Sequence, residues 1–464
     1  MSELTMAWIP DSKFGGLEMA RLLDPIRGLE GHAVMPDDPG YEPARRVFNG
    51  MIDRRPALIV RPAGTDDVAR AITYARDRDL RLAVRGGGHN VAGNAVVDGG
   101  VVIDHSLLRE VRVDAASEVA DAQPGATWYD FDQASQGYGL ATTGGLISST
   151  GVAGFTLGGG IGWLVRRHGL ACDNLVEADL VTADGGLARA GEGSDPDLLW
   201  ALRGGGGNFG VVTRFRFRLH PCGPVTGGLL GHPRPAAGEV LRFWRDFIRS
   251  APRELTTIAA LMTTPEGHPA VGIALCHAGP PEQAGRDIRP LREFGPPLMD
   301  QVGVMPYTVL QSALDPTAPI GMRNYWKSDF LDELTDDAID AVIEGANASQ
   351  SPLSQIHIHH LGGAMAEEPA GGAAFAGRRA GFVYNIIGMW PDAGLDQANI
   401  DWTRSVFDAL KPFSRGAAYI NFLGDDGQDR IRAAYGASYA RLSTIKRRLD
   451  PDNVFRMNQN ILPG

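Results

Sequence analysis

The segment Arg85-Gly86-Gly87-Gly88-His89-Asn90 places three glycines between a guanidinium and an imidazole. Glycines let a backbone approach a phosphate closely and turn several N–H groups toward it. The loop is not a P-loop, because no Gly-Lys-Ser/Thr follows, and no helix clearly begins there as a GxGxxG dinucleotide fingerprint would need. By itself such a loop is more often a turn than a cofactor site; the histidine directly behind it narrows the field. A second cluster, Gly158-Gly159-Gly160-Ile161-Gly162, follows Gly151, Gly154 and the hydroxyl run Ser148-Ser149-Thr150. It suits an anionic ligand, or a corner where two chain segments cross. Gly204 to Gly207 form a third cluster, which reads as a turn between a helix and the strand starting at Val211.

Other residues could carry proton chemistry. Tyr419 and Asn421 are two apart and share a face if the segment Ala418 to Leu423 is a strand. A phenol titrates near pH 10, so a basic Tyr419 needs a nearby positive charge or donors that favour phenolate. Otherwise it is a sheet tyrosine at a rim. Tyr384 and Asn385 are adjacent and face opposite ways, and an amide cannot act as a base, so Tyr384 is the candidate of the two. Lys327, in Tyr325-Trp326-Lys327, could polarise a substrate or support a phenolate, or simply sit at the surface. His357 and His359 share a strand face and His360 opposes them. No third ligand follows at convincing spacing, which favours substrate contact or packing over a metal.

The elements that must position these groups alternate in the first half of the chain. Ala57 to Val60 is a short apolar strand. Asp66 and Asp67 open a helix whose positive N-terminal end they suit. Leu82 to Val84 returns as a strand into the glycine loop, making a βαβ-type unit. Val101 to Ile103, Val111 to Val113 and Glu118 to Ala122 are further strands, and Trp128 to Gln136 is a helix. His220-Pro221-Cys222-Gly223-Pro224 breaks regular structure and marks a boundary. Beyond it, Thr257 to Met262, Ala270 to His277, His357 to Leu361, Phe382 to Trp390 and Ala418 to Leu423 read as longer strands. Helices at Leu241 to Arg249 and Ala338 to Ala346 then imply one large sheet covered on one face. Gly424 to Gly427 is a turn, and Ile431 to Lys446 a helix that ends at Asp450-Pro451-Asp452-Asn453.

Bulk properties bound the function. The 464 residues allow two domains, and 44% hydrophobic with 21% charged residues is ordinary for a globular protein. A net charge of −11 gives no electrostatic reason to seek nucleic acid or anionic lipid. Arg214, Arg216 and Arg218 alternate with Phe215, Phe217 and Leu219 as a solvated strand face. Cys172, Cys222 and Cys276 are too few and scattered for a disulfide framework. Asp11, Lys13 and Glu18 interrupt the N-terminus where a signal peptide needs an apolar run, and no long apolar span appears, so a cytoplasmic protein is expected.

Read in order, Pro62, Arg85 to His89, Gly158 to Gly162, Gly169-Leu170, Asp173-Asn174 and Asn208-Phe209-Gly210 resemble the FAD domain of the p-cresol methylhydroxylase and vanillyl-alcohol oxidase superfamily (PCMH-type). Tyr439 to Leu442, Lys446, Asp450 to Phe455 and Asn458-Gln459-Asn460-Ile461 resemble the C-terminal signature of berberine-bridge-enzyme-like oxidases. The resemblance implies an α+β fold. Residues 1–222 (core about 54–222) form the FAD-binding domain, 223–424 a substrate domain with a large antiparallel sheet covered by helices, and 425–464 a segment returning to the first domain.

It further implies that His89 is bonded to the flavin, with Arg85, Gly86, Gly87, Gly88, Asn90, Thr150, Gly151, Gly154, Gly158, Gly159, Gly160, Ile161, Gly162, Asn458 and Asn460 around the cofactor. Many relatives add a second bond from a cysteine; Ile147 stands at that position here, and Cys172 is wrongly placed, so a single bond is expected, as in hydroxynicotine oxidases. Thr150 falls where a residue controls oxygen access, and its valine-like size points to an oxidase. The family places a catalytic tyrosine at the Tyr419-x-Asn421 position, and Tyr384 and Lys327 stay as the further candidates read from the residues. Berberine bridge enzyme has a glutamate base near the position of Asn385.

The expected activity is hydride transfer from an amine, alcohol or natural-product intermediate to FAD, with O2 as acceptor. The alternatives are a dehydrogenase with another acceptor, a biosynthetic cyclase or oxygenase, or a degenerate flavin-binding protein. The expected partners are a small-molecule substrate and O2, without nucleic acid or membrane, in a monomer or homodimer.

Overall fold

Short apolar runs separated by glycine turns build two small sheets in the first half of the chain. The computed structural model describes residues 26–464 apart from 425, so the readings made for the N-terminal leader and for Asp425 lie outside the described residues. Strands β1 (His32–Val34), β2 (Leu58–Arg61), β3 (Leu82–Arg85) and β4 (Val101–Asp104) form a sheet in the order β1-β2-β4-β3. The helix α1 (Thr65–Asp77) links β2 to β3. The expected βαβ unit is opened by one place, because β4 inserts between its two strands and runs parallel to both. Asp67 does more than face the helix terminus: its buried carboxylate accepts from the backbone N–H groups of Glu30, Gly31 and Ala63.

The second sheet takes β5 (Val111–Asp114), β6 (Val119–Ala122), β7 (Leu175–Val181), β8 (Leu187–Gly191) and β9 (Val211–Arg218) in the order β5-β6-β9-β7-β8. On its outer face Arg214 pairs with Asp121, Glu177 and Asp179, and Arg216 with Asp121. The alternate side chains Phe215 and Phe217 are buried against the helix α2 (Trp128–Gln136). That helix begins where predicted because Thr127 and Asp130 form a reciprocal capping box. The helix α3 (Val152–Leu157) lies inside the glycine-dense segment, where no helix was expected.

The second half is one eight-stranded antiparallel sheet. Its main strands are β10 (Val225–Pro233), β11 (Leu255–Thr263), β12 (Pro269–His277), β13 (Arg323–Leu331), β14 (Gln355–His360) and β15 (Phe382–Trp390), in the order β10-β12-β11-β14-β15-β13. His220–Pro221 does not break all regularity, since it pairs with Leu140–Ala141. One face of the sheet is covered by helices Ala237–Ile248, Asp336–Asn347 and Asp396–Leu410. With the side-chain period of two, Ile356, Ile358, Phe382, Tyr384 and Ile386 pack on those helices, so the odd-numbered positions of β14 and β15 face the other way.

Two segments differ from expectation. Ala418 to Leu423 is not a strand: Tyr419 is extended and Ile420–Phe422 is a 3₁₀ turn. The single helix expected from Ile431 to Lys446 is two, Gly427–Tyr435 and Tyr439–Leu449, broken where Gly436 takes a φ of 50°. This tail packs into the core around the second sheet through Tyr435, Leu442, Ile445 and Ile461. Fully buried Lys446 holds it there, donating to the carbonyls of Asn208 and Phe455 at 2.9 Å each and to Asp450 at 2.6 Å.

Candidate active site

The odd-numbered face of the large sheet, the two glycine loops and the C-terminal tail enclose one cavity of about 320 Å³, within the range of small-molecule and cofactor sites. The first loop gives its lining Gly86, Gly87, Gly88, His89 and Asn90. The second region gives Thr150, Gly151, Gly154, Gly158 and Ile161, and the tail gives Asn458. Tyr419, Asn421 and the sheet residues Gln355, His357, His359 and Asn385 line it too. The predicted members of this set, all but Gln355 and Asn385, converge from distant parts of the chain. Phe48 links His89 to the sheet through Trp326, with ring centroids 4.0 and 6.2 Å away.

The glycine loops need their glycines for contact with each other. A Cβ on Gly87 would stand 2.7 Å from Gly151 Cα, so backbone abuts backbone. Gly154 and Gly207 differ, since a Cβ there would meet nothing within 4 Å. Their missing side chains leave cavity space, which fits a bulky ligand lying along them. Among the described residues no Asp, Glu, Lys or Arg lines the cavity, so a diphosphate would rest on backbone N–H groups rather than on cations.

His89 stacks on Phe48 with ring centroids 4.0 Å apart, and its Nε2 is buried without a partner. Burial holds its pKa down at about 4, so the ring is neutral with a free lone pair at pH 7. An unpartnered nitrogen facing a cavity is what a bond to a ligand carbon requires. Ile147 lines the same cavity, and none of the three cysteines does; Cys172 is buried against Tyr419 instead.

Three donors converge on the Tyr419 oxygen: Gly160 N–H at 2.9 Å, Ile161 N–H at 3.1 Å and Asn421 Nδ2 at 2.8 Å. Asn421 also donates to the Phe155 carbonyl at 2.9 Å. The pair thus meets through a turn rather than along a strand. Burial pushes the Tyr419 phenol upward, and the three donors pull it back toward phenolate.

Several expected site residues face elsewhere. Lys327 lies on the helix-covered side of β13 and pairs with Asp426. Tyr384 also points to the helices, its hydroxyl 3.0 Å from Ser414 Oγ, so its neighbour Asn385 is the one that reaches the cavity. Arg85 turns its guanidinium to the Ala44 carbonyl and to buried Asp104. Gly159, Gly160 and Gly162 do not line the cavity: they are the packed corner, with Gly160 against Ala171 and Phe155 and Gly162 against the Gly144 carbonyl. Asn460 lies past the point where Tyr435 and Asn208 grip the Gln459 carbonyl and lead the tail away.

Sequence reasoning missed Gly206 and Gly207, assigned to a turn, and also Phe48, His105, Asn324, Trp326, Gln355 and Gln459. Gln355-x-His357-x-His359 and Asn324-x-Trp326 carried a signal, because residues two apart on a strand share a face.

Residues 56–191 match the family model described as FAD binding domain, and residues 418–462 the one described as berberine and berberine like. An FAD-linked oxidoreductase of Dictyostelium discoideum is 33% identical, covering 88% of this chain and 89% of its own. (R)-6-hydroxynicotine oxidase of Paenarthrobacter nicotinovorans is 30% identical over 96% of this chain and 99% of its own. The crystal structure of 6-hydroxy-D-nicotine oxidase from Arthrobacter nicotinovorans superposes with a TM-score of 0.88 at 27% identity, covering 95% of this chain and 100% of that one.

Proposed function

Because the chain belongs to the berberine-bridge-like FAD-linked oxidoreductases, enzymes that act on small molecules, we propose that it is an oxidase holding FAD by one covalent bond through His89 and passing electrons from a small organic substrate to O2. The observation that carries this reading is a single cavity running from the unpartnered His89 nitrogen to the polar face of the large sheet.

The flavin supplies the hydride-accepting chemistry; the chain positions, binds and moves a proton. The amides of Gly86 to Gly88 and the space at Gly154 and Gly207 suit the dinucleotide, and Asn458 and Gln459 close it from the tail. His89, neutral and backed by Phe48, presents the bonding nitrogen. Ile147 offers no thiol for a second bond. Tyr419 is the proposed proton-transfer group, since Gly160, Ile161 and Asn421 offset part of the cost that burial places on its phenolate. Thr150 at the cavity wall supports oxygen as the acceptor.

The test is to denature and precipitate the purified protein, then to assay peroxide during turnover. Colour should stay with the pellet and peroxide should match substrate consumed. Free flavin in the supernatant refutes the covalent bond, and turnover without peroxide refutes the oxidase.

A further inference from the structure

The cavity's wall is unusual in what it omits. Its lining comes from the first half of the chain, the large sheet and the tail, yet among the described residues it includes no acidic or basic side chain other than histidine. Asp315, next in the chain to the wall residue Leu314, is engaged by the Ser148 N–H at 2.7 Å and hydroxyl at 2.6 Å. Apolar surface dominates the remainder, with Phe48, Leu146, Trp326, Ile387, Met389 and Phe422 in the lining. An ammonium or carboxylate entering here would lose its water without meeting a counter-charge.

The polar groups left for a substrate are few. Asn324 is taken up by the Met322 carbonyl and by Trp326, and Asn421 by Tyr419 and Phe155. His357 differs. Its Nε2 lies 2.8 Å from Gln355 Oε1, an atom that only accepts, so Nε2 carries the hydrogen and Nδ1 keeps a lone pair. Across the β14–β15 pairing His357 stands directly opposite Asn385, whose Oδ1 is buried with no partner. His359, the next residue on that sheet face, also carries an unpartnered Nε2. These few neutral hydrogen-bonding groups, in a largely apolar chamber, match a hydroxyl on an apolar body rather than an ion.

We propose that this site selects an uncharged, largely apolar substrate bearing a hydroxyl, which His357 Nδ1 and Asn385 engage, and that it excludes ammonium and carboxylate forms. The assignment rests on the flavin reading above, because the bound flavin is the reporter. It makes His357 and Asn385 specificity-determining residues and Gln355 a positioning residue that fixes the His357 tautomer.

The experiment titrates the anaerobic holoenzyme with benzyl alcohol, toluene and benzylamine, reading the shift in flavin absorbance as binding, between pH 6 and 9. The free titratable groups on the wall are silent there: His105 and His357 are held at about 4 and His359 at about 3 by burial, and Tyr419 is pushed upward. Benzyl alcohol should bind about 5- to 10-fold tighter than toluene, the worth of one hydrogen bond. Benzylamine should weaken tenfold for each pH unit below its own pKa, because only its neutral form enters. His357→Phe should erase the preference for alcohol over toluene, and Asn385→Asp, which supplies the missing carboxylate, should let the benzylammonium cation bind and flatten the pH slope. A benzylamine affinity independent of pH in the wild type, or an equal response to all three probes, including none, overturns the proposal. Colourless protein would instead refute the flavin reading, so the two failures are distinguishable.

Discussion

Tyr419→Phe removes one oxygen atom and leaves the ring, so it isolates what that oxygen does. Three N–H donors end on it, at 2.8 to 3.1 Å. The Asn421 amide retains the Phe155 carbonyl and can adjust. The Gly160 and Ile161 donors cannot, because the backbone there is fixed by Gly159 at φ 117° and Gly160 at φ 95° and by Phe375, Ala171 and Phe155 packed against those glycines. A buried donor left unsatisfied costs about 1–3 kcal/mol, so the two rigid ones amount to about 2–6 kcal/mol, the third being relieved through Phe155. That is a sizeable part of the roughly 5–15 kcal/mol that a folded domain has in hand. Urea unfolding of the variant and the parent, compared at equal m values, measures it. Asn421→Leu and the double variant complete a cycle, in which the Tyr419–Asn421 coupling should exceed about 0.5 kcal/mol. A loss below about 0.5 kcal/mol for Tyr419→Phe would falsify the view that this oxygen organises the glycine loop.

Other perturbations probe other parts of the site. His89→Ala should leave the precipitated protein colourless, and adding Ile147→Cys to that variant should restore colour to the pellet through a new thiol bond; a pellet that stays colourless would mean that position 147 does not face the reactive edge of the flavin. Lys327→Met should leave the flavin spectrum and kcat within about twofold while lowering stability, because the buried Asp426 carboxylate loses its Lys327 partner; a large drop in kcat with unchanged stability would return Lys327 to the chemistry. The holoenzyme should lose stability in acid. His105 and His357 at about 4 and His359 at about 3 lie below their unfolded values, so their contribution is full above pH 6.5 and fades as pH falls toward 3–4. Asp132, raised by burial to about 7, acts oppositely, its contribution being lost as pH rises through 7. Near pH 5 the net of these four is roughly 1.8 protons, a slope of roughly 2.4 kcal/mol per pH unit; unfolding midpoints that do not change between pH 4 and 6.5 would contradict it.

How much of the site was legible depended on whether local rules govern the residue. The loop Gly86 to His89 was legible because a strand running into three glycines and a histidine is a local pattern, and the chain keeps it local. The large sheet was legible because Phe382 to Trp390 and its neighbours alternate between two chemically distinct faces. Tyr384 and Lys327 failed for a related reason. Alternation says that Tyr384 and Asn385 face opposite ways, but not which face meets the helices, since both side chains tolerate burial once hydrogen-bonded. Gly206 and Gly207 were taken for a turn because nothing beside them in the chain shows that a tail 250 residues later packs over them.

The sequence by itself determined the family, the glycine loop and its histidine, the covered sheet and the absence of a cysteine at position 147. These are properties of residue type, spacing and period, which short-range sterics and side-chain alternation translate directly into structure. Only the tertiary structure decided that Tyr419 and Asn421 meet through a turn, that Asn385 rather than Tyr384 reaches the cavity, and that Gly159, Gly160 and Gly162 are a packed corner. It also decided that, among the described residues, no charged side chain lines the chamber. Each of these turns on which side chain finds a partner across hundreds of residues, and the burial of a polar group is settled by that partner rather than by its neighbours in the chain.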